Sequence, residues 1–287
     1  MEDTLQQLRG DALPALLREI PDPPAHLYVR GTLPPDGTKL LSVVGSRKHT
    51  AYGKDVCEHL IAGLAGTPVT IVSGLALGID AIAHRAALAA GLPTVAFPGS
   101  GLDWDALYPA TNRELARRIV REGGALVSEF EPDFRATPYA FPQRNRLMAG
   151  YAHATLVIEA AERSGTLITA RLAVDYNRDV LTVPGSIFSD ASRGANQLIR
   201  LGATPVRSSA DILDTLGIAP DATRERALPA DISDGERELL ELLVEPLPRD
   251  EIIQRMGIPA RDANVIISSL ELRGLIAEKL GVIHRAI

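Results

Sequence analysis

Two arginines, an asparagine and a phenylalanine stand together in Phe141-Pro142-Gln143-Arg144-Asn145-Arg146. This set suits an unpaired polynucleotide strand: Arg144 and Arg146 neutralise phosphates, Asn145 bonds to sugar or base edges, and Phe141 offers a ring on which a base stacks. A solvated helix start uses the same residue types, so the segment gains meaning only from its neighbours. Val43-Val44-Gly45-Ser46-Arg47 reads as a strand end opening towards a helix. Gly45 and Ser46 present backbone N–H groups and a hydroxyl to an anion, and Arg47 adds a forked cation matched to phosphate. Ser73 and Gly74 begin a second turn. Pro98-Gly99-Ser100-Gly101 forms a third, followed by Tyr108, Pro109 and Asn112, and Ser164-Gly165-Thr166 opens a helix carrying Thr169 and Arg171. Pro184-Gly185 and Arg193-Gly194-Ala195-Asn196 close the series. Each alone fits a tight turn with a surface side chain. Several on one sheet edge point to a long groove for many phosphates rather than to a single-nucleotide pocket. The G-x-G-x-x-G and G-x-x-x-x-G-K-[ST] patterns are absent, which weighs against dinucleotide and P-loop triphosphate sites.

Other constellations give less. Asp80 and His84 are four apart and share a helical face, as an acid/base pair would. No serine or cysteine nucleophile accompanies them, so Asp80 is expected to cap the helix start with His84 packed beside it. Glu129 and Glu159 end strands and could serve glycoside or phosphoryl chemistry as a carboxylate pair; bonding to neighbouring loops explains them without catalysis. The six histidines (26, 49, 59, 84, 153 and 284) and Cys57 lack metal-ligand spacing. No catalytic residue, metal site or cofactor is assigned.

The elements that must position these residues follow an α/β rhythm. Short runs rich in valine and isoleucine predict strands over 40–44, 69–73, 94–97, 126–129, 155–160, 180–183 and 204–206, buried on both faces of a mostly parallel sheet. Helices are expected over 52–64, 79–90, 111–121, 144–150, 166–176 and 195–200. The Gly-, Ser- and Pro-rich loops then lie at the carboxyl ends of the strands, where open α/β sheets bind ligands. Residues 1–39, with five prolines between Pro21 and Pro35, read as a short helical lead-in and an extended arm. The main domain is expected over 40–216 and an aperiodic linker over 217–232. Over 233–287 the pattern changes to three helices (236–243, 249–256 and 261–273) and a β-hairpin (275–278 and 282–283), with Ser233 and Glu236 spaced as a capping box. That is a winged-helix arrangement. It carries ten acidic and seven basic residues, a balance that favours contact with protein over a grip on duplex DNA.

With 287 residues, 46% hydrophobic and 23% charged, the chain excludes disordered, collagenous and disulfide-scaffold classes. One cysteine forms no intramolecular disulfide, the N-terminus lacks signal-peptide character, and no apolar run approaches the ~18–20 residues that span a bilayer. The expected location is cytoplasmic, with no membrane contact. A net charge of −6 confines any nucleic-acid binding to a local basic groove.

Taken together, Val44-Gly45-Ser46-Arg47, Ser73-Gly74-Leu75-Ala76-Leu77-Gly78-Ile79-Asp80 with Ala83-His84, Tyr108-Pro109 with Asn112, Phe141-Pro142 with Arg144-Asn145-Arg146, Glu159-Ala160 with Ser164-Gly165-Thr166-Leu167-Ile168-Thr169-Ala170-Arg171, and Val183-Pro184-Gly185 with Gly194-Ala195-Asn196 resemble the DprA/Smf family of bacterial DNA-processing proteins. The match runs from about Pro24 to Ala210 in one order. The resemblance implies an extended Rossmann-like domain that binds single-stranded DNA, protects incoming strands, forms a homodimer, and loads the RecA recombinase in natural transformation while displacing single-strand-binding protein. Carried over by motif, the site comprises Gly45, Ser46, Arg47, Ser73, Gly74, Gly99, Asn112, Phe141, Arg144, Asn145, Arg146, Gly165 and Thr166. Arg113 is added because the chain has Ala110 where the family commonly carries a lysine. The lead-in is also shorter than the helical N-terminal domain of many members. Two other readings stay open. A nucleotide-processing hydrolase resembling the phosphoribohydrolases is one, although Thr169 stands where their catalytic glutamate would be. A winged-helix regulator with a sensory domain is the other.

Overall fold

The first 39 residues supply two strands to the main sheet, where a helical lead-in and extended arm were expected. β1 (Leu5–Arg9) pairs antiparallel with β2 (His26–Gly31), and only the short α1 (Ala15–Arg18) and one 3-10 turn between them are helical. The alternation that marks β2 is brief: Leu27 and Val29 enter the core while His26 and Tyr28 are half-buried. The cluster of prolines on either side masks that short signal. The computed structural model describes residues 4–219, 231–243, 245–279 and 281–285. It divides into the units Met1–Ala219 and Pro220–Ile287; of the linker expected over 217–232, residues 220–230 lie outside the described residues.

In the first unit β3 (Lys39–Val44), β4 (Val69–Ser73), β5 (Thr94–Ala96), β6 (Ala125–Ser128), β7 (Ala154–Val157), β8 (Asp179–Thr182) and β9 (Thr204–Pro205) complete a nine-stranded sheet in the order β1-β2-β6-β5-β4-β3-β7-β8-β9. All pairings from β6 to β9 are parallel, and β2 joins β6 antiparallel. Side chains alternate between faces. Leu40 and Val44 enter the core shared with Phe97, Leu147 and Tyr151, whereas Leu41 and Val43 meet Leu60, Ile61, Ile79 and Ile82. The covering helices are α2 (Ala51–Ala62), α3 (Ile79–Ala89), α4 (Arg113–Arg121), α5 (Ala140–Tyr151), α6 (Thr166–Asp175), α7 (Arg193–Arg200) and α8 (Ser209–Thr215).

Helix α5 begins at Ala140, four residues before the expected start. Pro142 sits in its first turn, where the missing N–H has no intrahelical partner to lose. This start puts Phe141 and Arg144 three residues apart on one face. The chain runs from β3 through α2 to β4 on one side and returns through α5 to β7 on the other. Loops 45–50 and 158–165 therefore diverge and leave a crevice at the carboxyl end of the sheet.

In the second unit, α9 (Asp234–Leu242), α10 (Arg249–Met256) and α11 (Ala260–Leu272) pack with β10 (Leu247–Pro248), β11 (Ile276–Lys279) and β12 (Val282–Arg285), in the sheet order β10-β12-β11. Leu239, Leu240, Ile252, Ile267, Leu270 and Ile283 form its core. This is a winged-helix domain. The capping box at α9 is present: Glu236 accepts from the Ser233 backbone and also from Ser269 and Arg273.

These bonds, led by the Ser233 N–H and the Ser269 hydroxyl, hold the Glu236 carboxyl down from its ordinary 4.5 to about 2. A depressed carboxylate stabilises the fold fully above its unfolded value and loses that contribution as the pH falls through its folded value. Glu236→Gln is therefore expected to flatten the acid limb of this unit's unfolding between pH 4.5 and 2, followed by calorimetry on the full chain. An acid limb identical to the parent's would contradict the assignment.

Candidate nucleic-acid interface

The crevice opens into a cavity of about 540 Å³. Gly45, Ser46, Arg47 and Lys48 after β3 form one wall, and Ser164, Gly165 and Thr166 at the start of α6 form the other. Phe141, Arg144, Asn145 and Met148 from α5, with Asp80 from α3, make the floor. A narrow recess of about 20 Å³ adjoins it, bounded by Gly74, Ala76, Leu77, Gly99, Tyr108 and Pro109 and sharing Arg47, Phe141 and Arg144. The Phe141 ring lies between. The Arg47 guanidinium carbon is 5.0 Å from its centroid, and the Tyr108 ring is 5.8 Å away at 51°. A cation and two aromatic rings thus meet at the mouth, the combination that holds stacked bases beside phosphates.

Small residues permit these approaches. A Cβ on Gly99 would fall 2.6 Å from the Phe141 ring, and one on Gly78 would overlap the backbone oxygens of Ser46 and Arg47. Gly78 has φ +80°, and Ile79 N–H donates to Ser46 O at 3.2 Å, so the turn before α3 sets the position of Arg47. Leu75, at φ +57°, is held by the Asn112 amide, which donates to Leu75 O at 2.8 Å and Ala76 O at 3.2 Å. The N-terminus of α2 is already occupied. Glu159 accepts from the Thr50 backbone and hydroxyl, and Thr50 in turn accepts from Gly53 N–H. The start of α6 lines the cavity, and its first N–H groups are engaged locally too: Thr166 N–H donates to Ser164 Oγ at 3.2 Å, and Leu167 and Ile168 N–H donate to the Ser164 and Gly165 carbonyls at 3.1 Å.

The structure brings together Gly45, Ser46, Arg47, Gly74, Gly99, Phe141, Arg144, Asn145, Gly165 and Thr166. It sets four expected residues apart. Ser73 is buried with its hydroxyl donating to Val43 O at 2.7 Å. Asn112 is buried beneath the 75–76 turn. Arg113 donates to the carbonyls of Asp105 and Leu107, propping the loop that carries Tyr108. Arg146 is paired with Glu129 and Asp22, away from the groove. Lys48, Asp80, Tyr108 and Ile168 line the site without having been assigned to it. The signals were adjacency to Arg47 for Lys48 and to Asn112 for Tyr108.

Burial governs the charges here. Burial lowers the Arg144 guanidinium to about 10 against the opposing pull of Asp80, so it stays cationic at neutral pH. Burial likewise pushes Asp80 up, countered mainly by Arg144 and by backbone N–H groups of Ala76 and Gly74. His84 is driven down to about 3 by burial, and its Nδ1 meets Thr94 Oγ1 at 2.7 Å. It therefore remains neutral and packed. Burial raises the Cys57 thiol above its ordinary range. Among the described residues no helix is long and apolar enough to cross a membrane, and no cluster of three or more His, Cys, Asp or Glu could hold a metal ion.

Comparison with known proteins agrees with the geometry. Residues 6–217 match the family model for DNA recombination-mediator protein A, and residues 219–281 match the DprA winged helix domain. The chain is similar to Protein Smf of Escherichia coli, with 39% identity over 92% of this chain and 72% of that protein. The crystal structure of DNA processing protein A from Streptococcus pneumoniae superposes with a TM-score of 0.69 at 38% identity, covering 73% of this chain and 74% of that one. For the Helicobacter pylori protein, described for its single-stranded DNA binding mode, the TM-score is 0.64 at 29% identity, covering 74% and 95%. The chain belongs to the DprA/Smf family of DNA recombination-mediator proteins.

Proposed function

We propose that this protein binds single-stranded DNA in the crevice of its Rossmann-like domain, protects incoming strands, and loads RecA onto them in natural transformation, displacing single-strand-binding protein. The observation that carries this reading is that Arg47, Lys48 and the Phe141 ring line one crevice, with the Arg47 guanidinium carbon 5.0 Å from the ring centroid. Cations take phosphates, and a ring reachable only by unpaired bases selects a single strand. The net charge of −6 keeps duplex DNA from binding elsewhere on the surface. The Helicobacter pylori neighbour's described binding mode supports the same ligand. We place the protein in the cytoplasm as a homodimer.

The winged-helix unit is assigned a protein contact. Its Arg249 is engaged by Glu271, Glu278 and Asn264, and Arg273 by Asp231 and Glu236, so these cations are neutralised within the unit. A duplex-gripping helix would turn such cations outward.

Loading is tested by RecA-dependent ATP hydrolysis on a strand precoated with single-strand-binding protein. Adding this protein is expected to shorten the lag, and an unchanged lag overturns the loading role. In binding assays, Arg47→Ala is expected to weaken single-strand affinity about threefold to tenfold and to lower the salt slope by about 0.7, the value for one lost phosphate contact. An unchanged slope and affinity would remove Arg47 from the groove.

A further inference from the structure

In open α/β sheets a ligand's phosphate lands at the start of the helix that follows a strand, beside the point where the strand order reverses. Here that point lies between β3 and β7, and the helix is α2. Its start is filled by the protein itself. Glu159, two residues beyond the end of β7, is 2% exposed and accepts from the Thr50 N–H at 3.0 Å and from the Thr50 hydroxyl. No lysine or arginine pairs with it among the described residues, so the positive end of α2 balances this buried carboxylate.

The sequence makes room for it. Gly53 sits in the first turn of α2, where alanine would favour the helix, and a Cβ there would overlap the Glu159 carboxylate. Gly53 N–H donates to Thr50 Oγ1 at 3.1 Å, which joins the carboxylate, the hydroxyl and the first turn in one bonded unit. The Tyr52 hydroxyl donates to Pro184 O at 2.8 Å and ties the same turn to the loop after β8. The two carboxylate oxygens thus stand where two oxygens of a phosphate monoester would stand, with the same sign of charge. A monoester is refused by space and by repulsion. An internal phosphodiester carries one charge per link and meets Arg47 and Lys48 on the crevice wall, without needing the helix start.

We propose that Glu159 is a specificity-determining residue: by filling the anion position at the start of α2 it makes the protein refuse nucleoside monophosphates and terminal phosphates, leaving internal phosphodiesters as the anions it takes. The inference deepens the single-strand reading above and rests on it. Free nucleotides then do not compete with the strand.

The test uses the full chain at constant ionic strength, with dAMP as probe and deoxyadenosine as the control that lacks the phosphate, followed by titration calorimetry. The parent is expected to bind dAMP no tighter than deoxyadenosine. Glu159→Ala empties the position while Thr50 keeps its donors, and is expected to bind dAMP at least about tenfold tighter than the parent does, with no gain for deoxyadenosine. A variant that was merely loosened would gain neither. Should Glu159→Ala fail to fold, dT oligonucleotides of about eight nucleotides with a 5′-phosphate or a 5′-hydroxyl decide on the parent, which is expected to bind the two within about twofold. A folded Glu159→Ala that gains no dAMP binding overturns the proposal. So does a parent that prefers dAMP over deoxyadenosine, or the 5′-phosphate over the 5′-hydroxyl, by about tenfold or more. A parent that binds no oligonucleotide overturns the single-strand reading, and the dAMP titrations still decide whether Glu159 closes the start of α2.

Discussion

Gly78→Ala is expected to lower stability by about 2–4 kcal/mol and to weaken single-strand binding by at least about tenfold. Gly78 adopts φ +80° and ψ −133°, a region that costs an L-residue about 1–3 kcal/mol. The added methyl would also overlap backbone atoms of Ser46 and Arg47, which cannot rotate aside as a side-chain end would. Either the turn before α3 or the Gly45-Ser46-Arg47 turn must move, and Arg47 moves with it. Gly91→Ala is the control. Gly91 also has positive φ, at +68°, but a Cβ there meets nothing within 4 Å, so it should lose about 1 kcal/mol and no affinity. Urea unfolding and oligonucleotide titration of both variants check this. Parent-like stability and affinity in Gly78→Ala would show that the two turns are not coupled.

Phe141→Ala is expected to lower single-strand affinity by about 5- to 150-fold, the 1–3 kcal/mol of a lost base stack, with no change in salt slope. The ring is held by three neighbours: Gly99 beneath it, the Arg47 guanidinium at 5.0 Å and Tyr108 at 5.8 Å. Phe141→Leu keeps apolar bulk against Gly99 but removes the π-face, so it separates stacking from packing. The stacking account requires Phe141→Leu to lose most of the affinity that Phe141→Ala loses while unfolding at the parent's urea midpoint. Full affinity in Phe141→Leu would reduce the ring to a spacer. The slope provides the second check, because stacking carries no counterions whereas the Arg47 contact does.

How much of this was legible in the sequence depends on the range of each interaction. The runs at β3, β4 and β7 showed their strands because burial on both faces leaves no polar alternation to misread. The turns that follow were visible from Gly45, Gly74 and Gly165, whose residue types reflect local backbone geometry. β1 and β2 were missed because strand identity there comes from pairing with each other and with β6 across more than ninety residues. The role of an arginine was equally non-local. Arg144 and Arg146 are two positions apart in one motif, yet the helix directs one into the crevice floor and the other to Glu129 and Asp22. The resemblance makes Asn112 a DNA contact by its motif, and Arg113 one as a stand-in for the lysine absent at Ala110. In the structure both are bonded to backbone carbonyls of the loops that carry Leu75 and Tyr108, contacts far apart in sequence that the motif does not show. Glu159 was legible as a loop-bonding residue, because a carboxylate at a strand end beside a helix start has a ready set of N–H donors.

The central claim is that the crevice selects single strands by pairing phosphate contacts on its walls with a ring that duplex bases cannot reach. The most direct measurement is fluorescence anisotropy with the full chain and one labelled sequence, presented single-stranded and as a duplex across a salt series. The account predicts single-strand binding at least about tenfold tighter than duplex at every salt concentration, with a slope corresponding to about two or more phosphate contacts. Duplex binding as tight as single-strand binding would contradict it, because the Phe141 ring would then contribute nothing to selection.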